Sequence, residues 1–225
     1  MVPKVLVGCV TDNSYRYVIG EYIDAIKKLD YPSGALMLVD TSSDDSMYAY
    51  IRERGVPVMK GTYSDDLRKR MVDGRNMLRS HALSNNFDYL LSLEQDFIIK
   101  PDALKRLVAH KKPIVSAFYK KYINMVLEND KGLKKARVAM PLFRFDAGEG
   151  QRQAKGHEIL GKGLMEVGAA GLGCMLIHRD VMEKVPFRYE EDNKAFDDIH
   201  FCRDAREKGF SIYVDGDVEV THRPK

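Results

Sequence analysis

The chain of 225 residues is 44% hydrophobic and 31% charged, with 17 Gly and 8 Pro, a globular composition that excludes collagen-like, low-complexity and disordered classes. Its 36 Lys and Arg against 33 Asp and Glu leave a formal charge of +3, too near neutral for the electrostatic footprint of a duplex-binding protein. Cys9, Cys174 and Cys202 are far apart and form no Cys-x-x-Cys pair, so neither a disulfide framework nor a thiolate zinc site is indicated. This length suits one core-bearing domain. No stretch reaches the roughly 18 to 20 apolar residues of a membrane span, so the expectation is a cytoplasmic protein, with peripheral docking on a membrane left open.

In chain order, the apolar run 4–10 ends at Thr11-Asp12-Asn13-Ser14 and predicts a buried parallel strand. Ile19, Tyr22, Ile23 and Ile26 recur at helical spacing over 17–29, and after Pro32-Ser33-Gly34 a second strand follows at 35–39. Asp40-Thr-Ser-Ser-Asp-Asp45 leads into a short helix through Met47, Tyr50 and Ile51, then a strand at 56–59. Ser64-Asp65-Asp66 reads as a helix N-terminus, with Ser64 the expected cap and the helix running to about Ser84. Strands at 88–93 and 113–118 flank a helix opened by Lys100-Pro101-Asp102. This alternation predicts an α/β domain with a mostly parallel, Rossmann-like sheet whose ligands bind beyond the carboxyl ends of the strands.

Periodicity is lost over 119–162, where Lys120, Lys121, Lys131, Lys134, Lys135 and Arg137 concentrate and Gly148, Gly150 and Gly156 punctuate the chain. Hairpin and loop structure, acting as a mobile flap, is the expectation there. A strand at 174–177, helices at 179–185 and 197–208, and strands at 211–214 and 218–221 complete a single domain over 1–225. It would divide into a first part of about 1–118 and a second of about 119–225.

Glu94-Gln95-Asp96 follows an apolar strand, and residues two apart in extended chain point the same way, so both carboxylates suit a Mg²⁺ or Mn²⁺ shared with a diphosphate. Solvated acids after a strand are the competing reading. Asp12, Asp40 and either Asp44 or Asp45 lie in the first two strand-end loops, where a carboxylate accepts hydrogen bonds from a base or ribose, or serves ordinary turn chemistry. Arg75, beside Gly74, is placed either to pair with a phosphate or to sit solvated on a helix face. Gly171-Leu-Gly173 admits close backbone approach, but no phosphate-cradling glycine motif occurs. Asp197 and Asp198 open a helix, as charge complements of its N-terminus or as a general base. His222, after the last strand, is a metal ligand or simply exposed.

These segments, with Phe196-Asp-Asp-Ile-His-Phe-Cys-Arg-Asp-Ala-Arg-Glu-Lys-Gly-Phe210 among them, together resemble the family 2 type of glycosyltransferase with the GT-A fold, most specifically from Asp197 through Val220. The resemblance runs from Val5 to His222 and is weakest over 119–162. It implies that Asp12 and Asp40 or Asp44 meet the nucleotide, that Arg75 helps at the base or diphosphate, that Asp96 holds Mn²⁺ or Mg²⁺, and that His222 contacts the metal or the diphosphate. It also implies a donor-binding half of about 1–118 and an acceptor and catalytic half of about 119–225. Glu94, by its position beside Asp96, would bind ribose or reach the metal through water. Asp198, beside Asp197, corresponds to the base. The usual Asp-x-Asp has Glu94 in its first position, and His200 replaces an acid. The implied reaction moves a sugar from a UDP- or GDP-sugar to the hydroxyl of an unspecified acceptor (glycan, lipid-linked or protein) with inversion. Two alternatives stand beside it. A sugar nucleotidyltransferase would carry a Gly-rich, Arg-containing loop after the first strand, and Val10-Thr-Asp-Asn-Ser-Tyr-Arg16 has no glycine. A GT-A scaffold that binds nucleotide without turnover would retain the acids without using them.

Overall fold

A computed structural model describes residues 1–129, 132–147, 150–193 and 195–225, with side chains described outside 123–138. Strand β1 (Val5–Thr11) is buried along its whole length, as a run of apolar residues in the middle of a sheet must be. A 3₁₀ turn, Asn13–Tyr15, leads to α1 (Ile19–Lys27), which buries Ile19, Tyr22, Ile23 and Ile26. Then come β2 (Gly34–Asp40), α2 (Ser46–Glu53), β3 (Val58–Lys60), α3 (Leu67–Ser84), β4 (Tyr89–Leu93), the two-residue β5 (Phe97–Ile98), α4 (Ala103–Ala109) and β6 (Ile114–Phe118). The cap of α3 is Asp66, whose carboxylate accepts from the Arg68 amide at 2.8 Å; Ser64, expected in that role, instead accepts from the Asp66 amide.

The 119–162 region forms a long hairpin of β7 (Lys120–Asn129) and β8 (Gly132–Pro141), then β9 (Phe143–Ala147), β10 (Gly150–Gln153) and the one-turn α5 (Gly156–Ile159). Lys131 and Gly148, singled out in the sequence, lie outside the described residues. The chain closes through β11 (Leu164–Val167), β12 (Ala169–Ala170), β13 (Cys174–His178), α6 (Arg179–Lys184), α7 (Asp197–Glu207), β14 (Ile212–Glu219) and β15 (Thr221–His222). The two strands expected at 211–214 and 218–221 are one strand with an irregularity between Asp215 and Glu219. Gly216 sits in that irregularity, where a Cβ would collide with the Ile159 carbonyl.

The main sheet has the order β3-β2-β1-β4-β13-β6-β14-β11. β1, β2, β3, β4, β6 and β14 run one way, while β13, inserted between β4 and β6, and β11 at the edge run the other. Periodicity does not encode direction, so the reversed β13 is invisible in the sequence. Its consequence is local: the chain entering β13, including Gly171-Leu-Gly173, lies at the same sheet edge as the carboxyl ends of β4 and β6. α3 packs across β1, β2 and β4. Gly74 permits that approach, because a Cβ there would stand 2.8 Å from both methyls of Val10.

Candidate active site

The carboxyl edge of the sheet opens into a cavity of about 580 Å³. Thr11 and Asp12 from β1, Glu94 and Gln95 from the end of β4, Met71 and Arg75 from α3, and Asp197 and Asp198 from α7 line one side. Tyr119 and Lys121, Leu142 and Arg144, and the Ala169–Gly173 stretch line the other. Tyr119 on that side is backed by an aromatic cluster. Phe97 meets Tyr119 edge-on at 4.6 Å, Tyr119 meets Phe143 at 5.5 Å, and Phe97 stacks on the His222 ring at 4.9 Å. Each such pair contributes on the order of 1 kcal/mol beyond burial, which makes the strand ends a rigid platform. Gly171 and Gly173 leave room for Tyr119, whose hydroxyl accepts from the Gly173 amide at 3.1 Å. Of the two sequence expectations for these glycines, the close approach is to a ring of the protein itself.

One ionic network organises the charged wall. Arg75, brought inward by the close α3–β1 packing, is buried and donates to Asp197 at 2.5 Å and to Glu94 at 3.0 Å. Glu94 also faces Lys121 at 3.5 Å. Burial opposes ionisation of Glu94, but the Lys121 and Arg75 charges outweigh it and hold its pKa below the ordinary value. The two acids at the start of α7 are therefore inequivalent. Asp197 is spent on Arg75. Asp198 lines the cavity, accepts only from the Ile199 amide among the described residues, at 2.8 Å, and has its pKa raised by burial and by the neighbouring Asp197 charge. A half-buried carboxylate with no cation of its own and a raised proton affinity is what a general base requires. His200 points away from it, toward Arg203 at 3.3 Å and Glu190 at 3.6 Å.

Asp96 is buried and, unlike Glu94 and Gln95, does not line the cavity. Pairing of β15 with β5 sets His222 opposite Phe97 and brings its Nε2 to 3.1 Å from Asp96 Oδ2, across 126 positions of sequence. The other oxygen, Asp96 Oδ1, is buried with no hydrogen-bond partner among the described residues. An orphaned carboxylate oxygen is costly unless a ligand meets it, and an oxygen and an imidazole nitrogen side by side fit one edge of a Mn²⁺ or Mg²⁺ site. No group of three or more His, Cys, Asp or Glu among the described residues encloses a metal, so diphosphate oxygens and water would have to complete the shell. Glu94, expected to share that role, is turned to Arg75 and Lys121 instead.

The structure separates the three acids of the first two loops. Asp12 lines the cavity, caps the 3₁₀ turn through the Ser14 amide at 2.8 Å and lies 3.5 Å from Arg70. Asp40 is fully buried behind the wall, bonded to Ser42 and to Lys60 at 2.9 Å. Asp44 is exposed outside the cavity, and bonds from Ser46 and Asn13 push its pKa down to about 2. Both follow the turn-chemistry alternative. Sequence reasoning passed over Thr11, which lines the cavity and whose buried Oγ1 has no partner among the described residues, and Tyr15 and Tyr119. Their position at strand ends was the available signal; their residue types carry none.

No protein-family model matches the chain, and no curated protein matches it in sequence. Solved structures do. S. aureus TarS residues 1–349 in complex with UDP-GlcNAc is 17% identical at a TM-score of 0.63, over 96% of this chain and 57% of that one. The mannosyltransferase PcManGT from Pyrobaculum calidifontis with GDP-Man and Mn²⁺ is 16% identical at 0.65, over 100% and 58%. GalNAc-T7 with UDP, GalNAc and Mn²⁺ is 12% identical at 0.66, over 98% and 44%. The chain thus spans between about two fifths and three fifths of the length of these proteins. At such identities the likeness speaks to architecture, and the strand order, the reversed β13 and the acid-lined sheet edge together make this a GT-A fold.

Proposed function

We propose that the chain is a glycosyltransferase that moves a sugar from a UDP- or GDP-sugar to an acceptor hydroxyl with inversion at the anomeric carbon. The observation that carries this reading is the position of Asp198: among the described residues no cation reaches it within 4 Å, while Asp197 and Glu94 are held by Arg75 and Lys121. A double-displacement route needs a second free carboxylate as nucleophile. A single displacement needs one base, and the wall supplies one.

Asp198 would take the proton of the acceptor hydroxyl as that oxygen attacks the anomeric carbon. The bond from that carbon to the diphosphate oxygen breaks, and the electron pair leaves with the nucleoside diphosphate. Asp96 and His222 would hold a divalent cation, Mn²⁺ or Mg²⁺, that supplies positive charge to the departing diphosphate. Thr11 Oγ1, Asp12 and Tyr15 would face the nucleoside from the β1 end. The structural neighbours support a nucleotide-sugar donor, since the complexes named above contain UDP-GlcNAc, GDP-Man and UDP with GalNAc.

Calorimetric titration with UDP, GDP and a panel of their sugars, in Mn²⁺ and in Mg²⁺, tests the reading. Micromolar binding of one nucleotide family is expected, and binding of none overturns it. Asp198→Asn should keep the donor affinity and lose transfer by about 10³-fold or more, as loss of a general base does. Equal turnover by this variant removes Asp198 from the role. NMR of the product should show the anomeric configuration inverted.

A further inference from the structure

Among the described residues, the Lys and Arg side chains that line the cavity are Arg75, Lys121 and Arg144. The charged cluster sets Arg75 and Lys121 against Glu94, Asp197 and Asp198. Arg75 has 5% of its side chain exposed and both arms engaged, so it cannot turn to a ligand without abandoning two buried carboxylates. Lys121 differs in each respect. It enters from the root of β7, lines the cavity, keeps 40% of its side chain exposed, and makes a single 3.5 Å contact with Glu94. If it leaves, Glu94 keeps its 3.0 Å bond to Arg75. Release of Lys121 therefore leaves Glu94 with a cationic partner, and an ammonium on a flexible stem is suited to follow a phosphate oxygen.

Lys121 is also tied to the Asp96 site. The next residue, Tyr122, stacks on the His222 ring at 5.8 Å, and its amide meets His222 Nδ1 at 3.4 Å. The same two residues of β7 thus touch Glu94 on one side and the imidazole beside Asp96 on the other. Whatever diphosphate that edge receives arrives next to the Lys121 ammonium.

We propose that Lys121 is a diphosphate-binding catalytic residue of this site, held in reserve on Glu94 and transferred to the diphosphate when the donor binds. This rests on the reading of the site as a nucleotide-sugar transferase. Lys121 supplements the cation expected at Asp96: as the anomeric carbon–oxygen bond breaks and its electron pair passes to the phosphate oxygen, the ammonium is already beside the charge that develops. Glu94, in the first position of an acid-x-acid triplet, then serves to park and orient Lys121 rather than to bind metal. Arg144 lines the cavity from β9, is exposed, and provides a control for positive charge in general.

The test is calorimetric titration of wild type, Lys121→Met, Lys121→Arg and Arg144→Met with UDP, GDP, UMP and GMP, in Mn²⁺ and in EDTA, each variant first shown to unfold at the wild-type temperature. Lys121→Met is expected to lose diphosphate affinity by about 10- to 100-fold, the usual effect of removing a bond to a charged group. Monophosphate affinity should change by less than about threefold, Lys121→Arg should recover most of the loss, and Arg144→Met should leave the diphosphate preference intact. In EDTA, wild type should retain a preference for diphosphate over monophosphate that Lys121→Met lacks. Unchanged diphosphate binding in Lys121→Met, an equal loss for monophosphate, or an equal loss in Arg144→Met overturns the assignment while leaving the transferase reading standing. Wild type that binds no nucleotide overturns both.

Discussion

Arg75→Met isolates the charge network from the chemistry it supports. The guanidinium is buried and holds two carboxylates, but the two do not depend on it equally: Glu94 keeps Lys121 at 3.5 Å, whereas no other cation among the described residues reaches Asp197 within 4 Å. The cost should therefore be that of one stranded buried charge, about 3–5 kcal/mol, or a melting temperature lower by roughly 6–20 °C for a chain of this size. The pH dependence has a definite sign. Glu94 in the folded protein has a pKa below its ordinary 4.5, so its ionised form contributes stability that is present above that value and lost as pH falls through the depressed one. Removing Arg75 shrinks this contribution, so the gap between wild type and variant should be widest near neutral pH and narrow as the solution is acidified below the ordinary Glu range. Urea unfolding at pH 7 and pH 4 measures both quantities. Adding Asp197→Asn to the variant should recover part of the loss, because the stranded charge is removed. A loss below about 1 kcal/mol at pH 7, or a gap that widens on acidification, would refute the network as described.

The raised pKa of Asp198 also has two readouts with fixed sign. Transfer should fall as pH falls through that raised value, and Asp197→Asn should move the acidic limb of the pH–rate profile downward by removing the neighbouring negative charge; a limb that does not move would point to another base. Ionised Asp198 costs stability at neutral pH, a cost relieved between its raised folded pKa and its unfolded one, so Asp198→Asn should melt higher than wild type at pH 7 and alike in strong acid. Gly173→Ala would place a Cβ 2.8 Å from Tyr119 Cζ and 2.9 Å from Phe97 Cε2. Because both rings are buried, a destabilisation of about 1–3 kcal/mol in denaturant titration is expected, and a neutral result would show that the aromatic cluster yields. Cys9, Cys174 and Cys202 are all buried, and burial pushes the Cys174 and Cys202 thiols up to about 12. An aromatic disulfide reagent at pH 8 should leave all three unlabelled until the protein is unfolded, and rapid native labelling of any one would contradict this packing.

The sequence by itself determined the alternation of strands and helices through residue 118, because buried parallel strands and amphipathic helices write different periodicities into the chain. Ile19, Tyr22, Ile23 and Ile26 on one face of α1, and the turn residues after each strand, are local facts that need no partner to be read. The acid-rich strand ends were legible for the same reason: Asp12, Glu94 and Asp96 sit where apolar runs stop. Which acids serve the cavity was decided only by tertiary structure. Asp40 and Asp44 look like Asp12 in sequence, yet Lys60 claims the buried Asp40 and local turn donors claim Asp44. Asp197 and Asp198 are adjacent and chemically alike, yet a single arginine more than a hundred positions away holds the first as a structural anion, while burial and that neighbouring negative charge raise the proton affinity of the second. His222 reaches Asp96 only because a two-residue strand pairs with another of the same length, and Lys121 becomes part of the site only because β7 starts at the end of β6. Long-range pairings of this kind carry no periodic signal, since their energy comes from contacts between segments whose local patterns are complete without them.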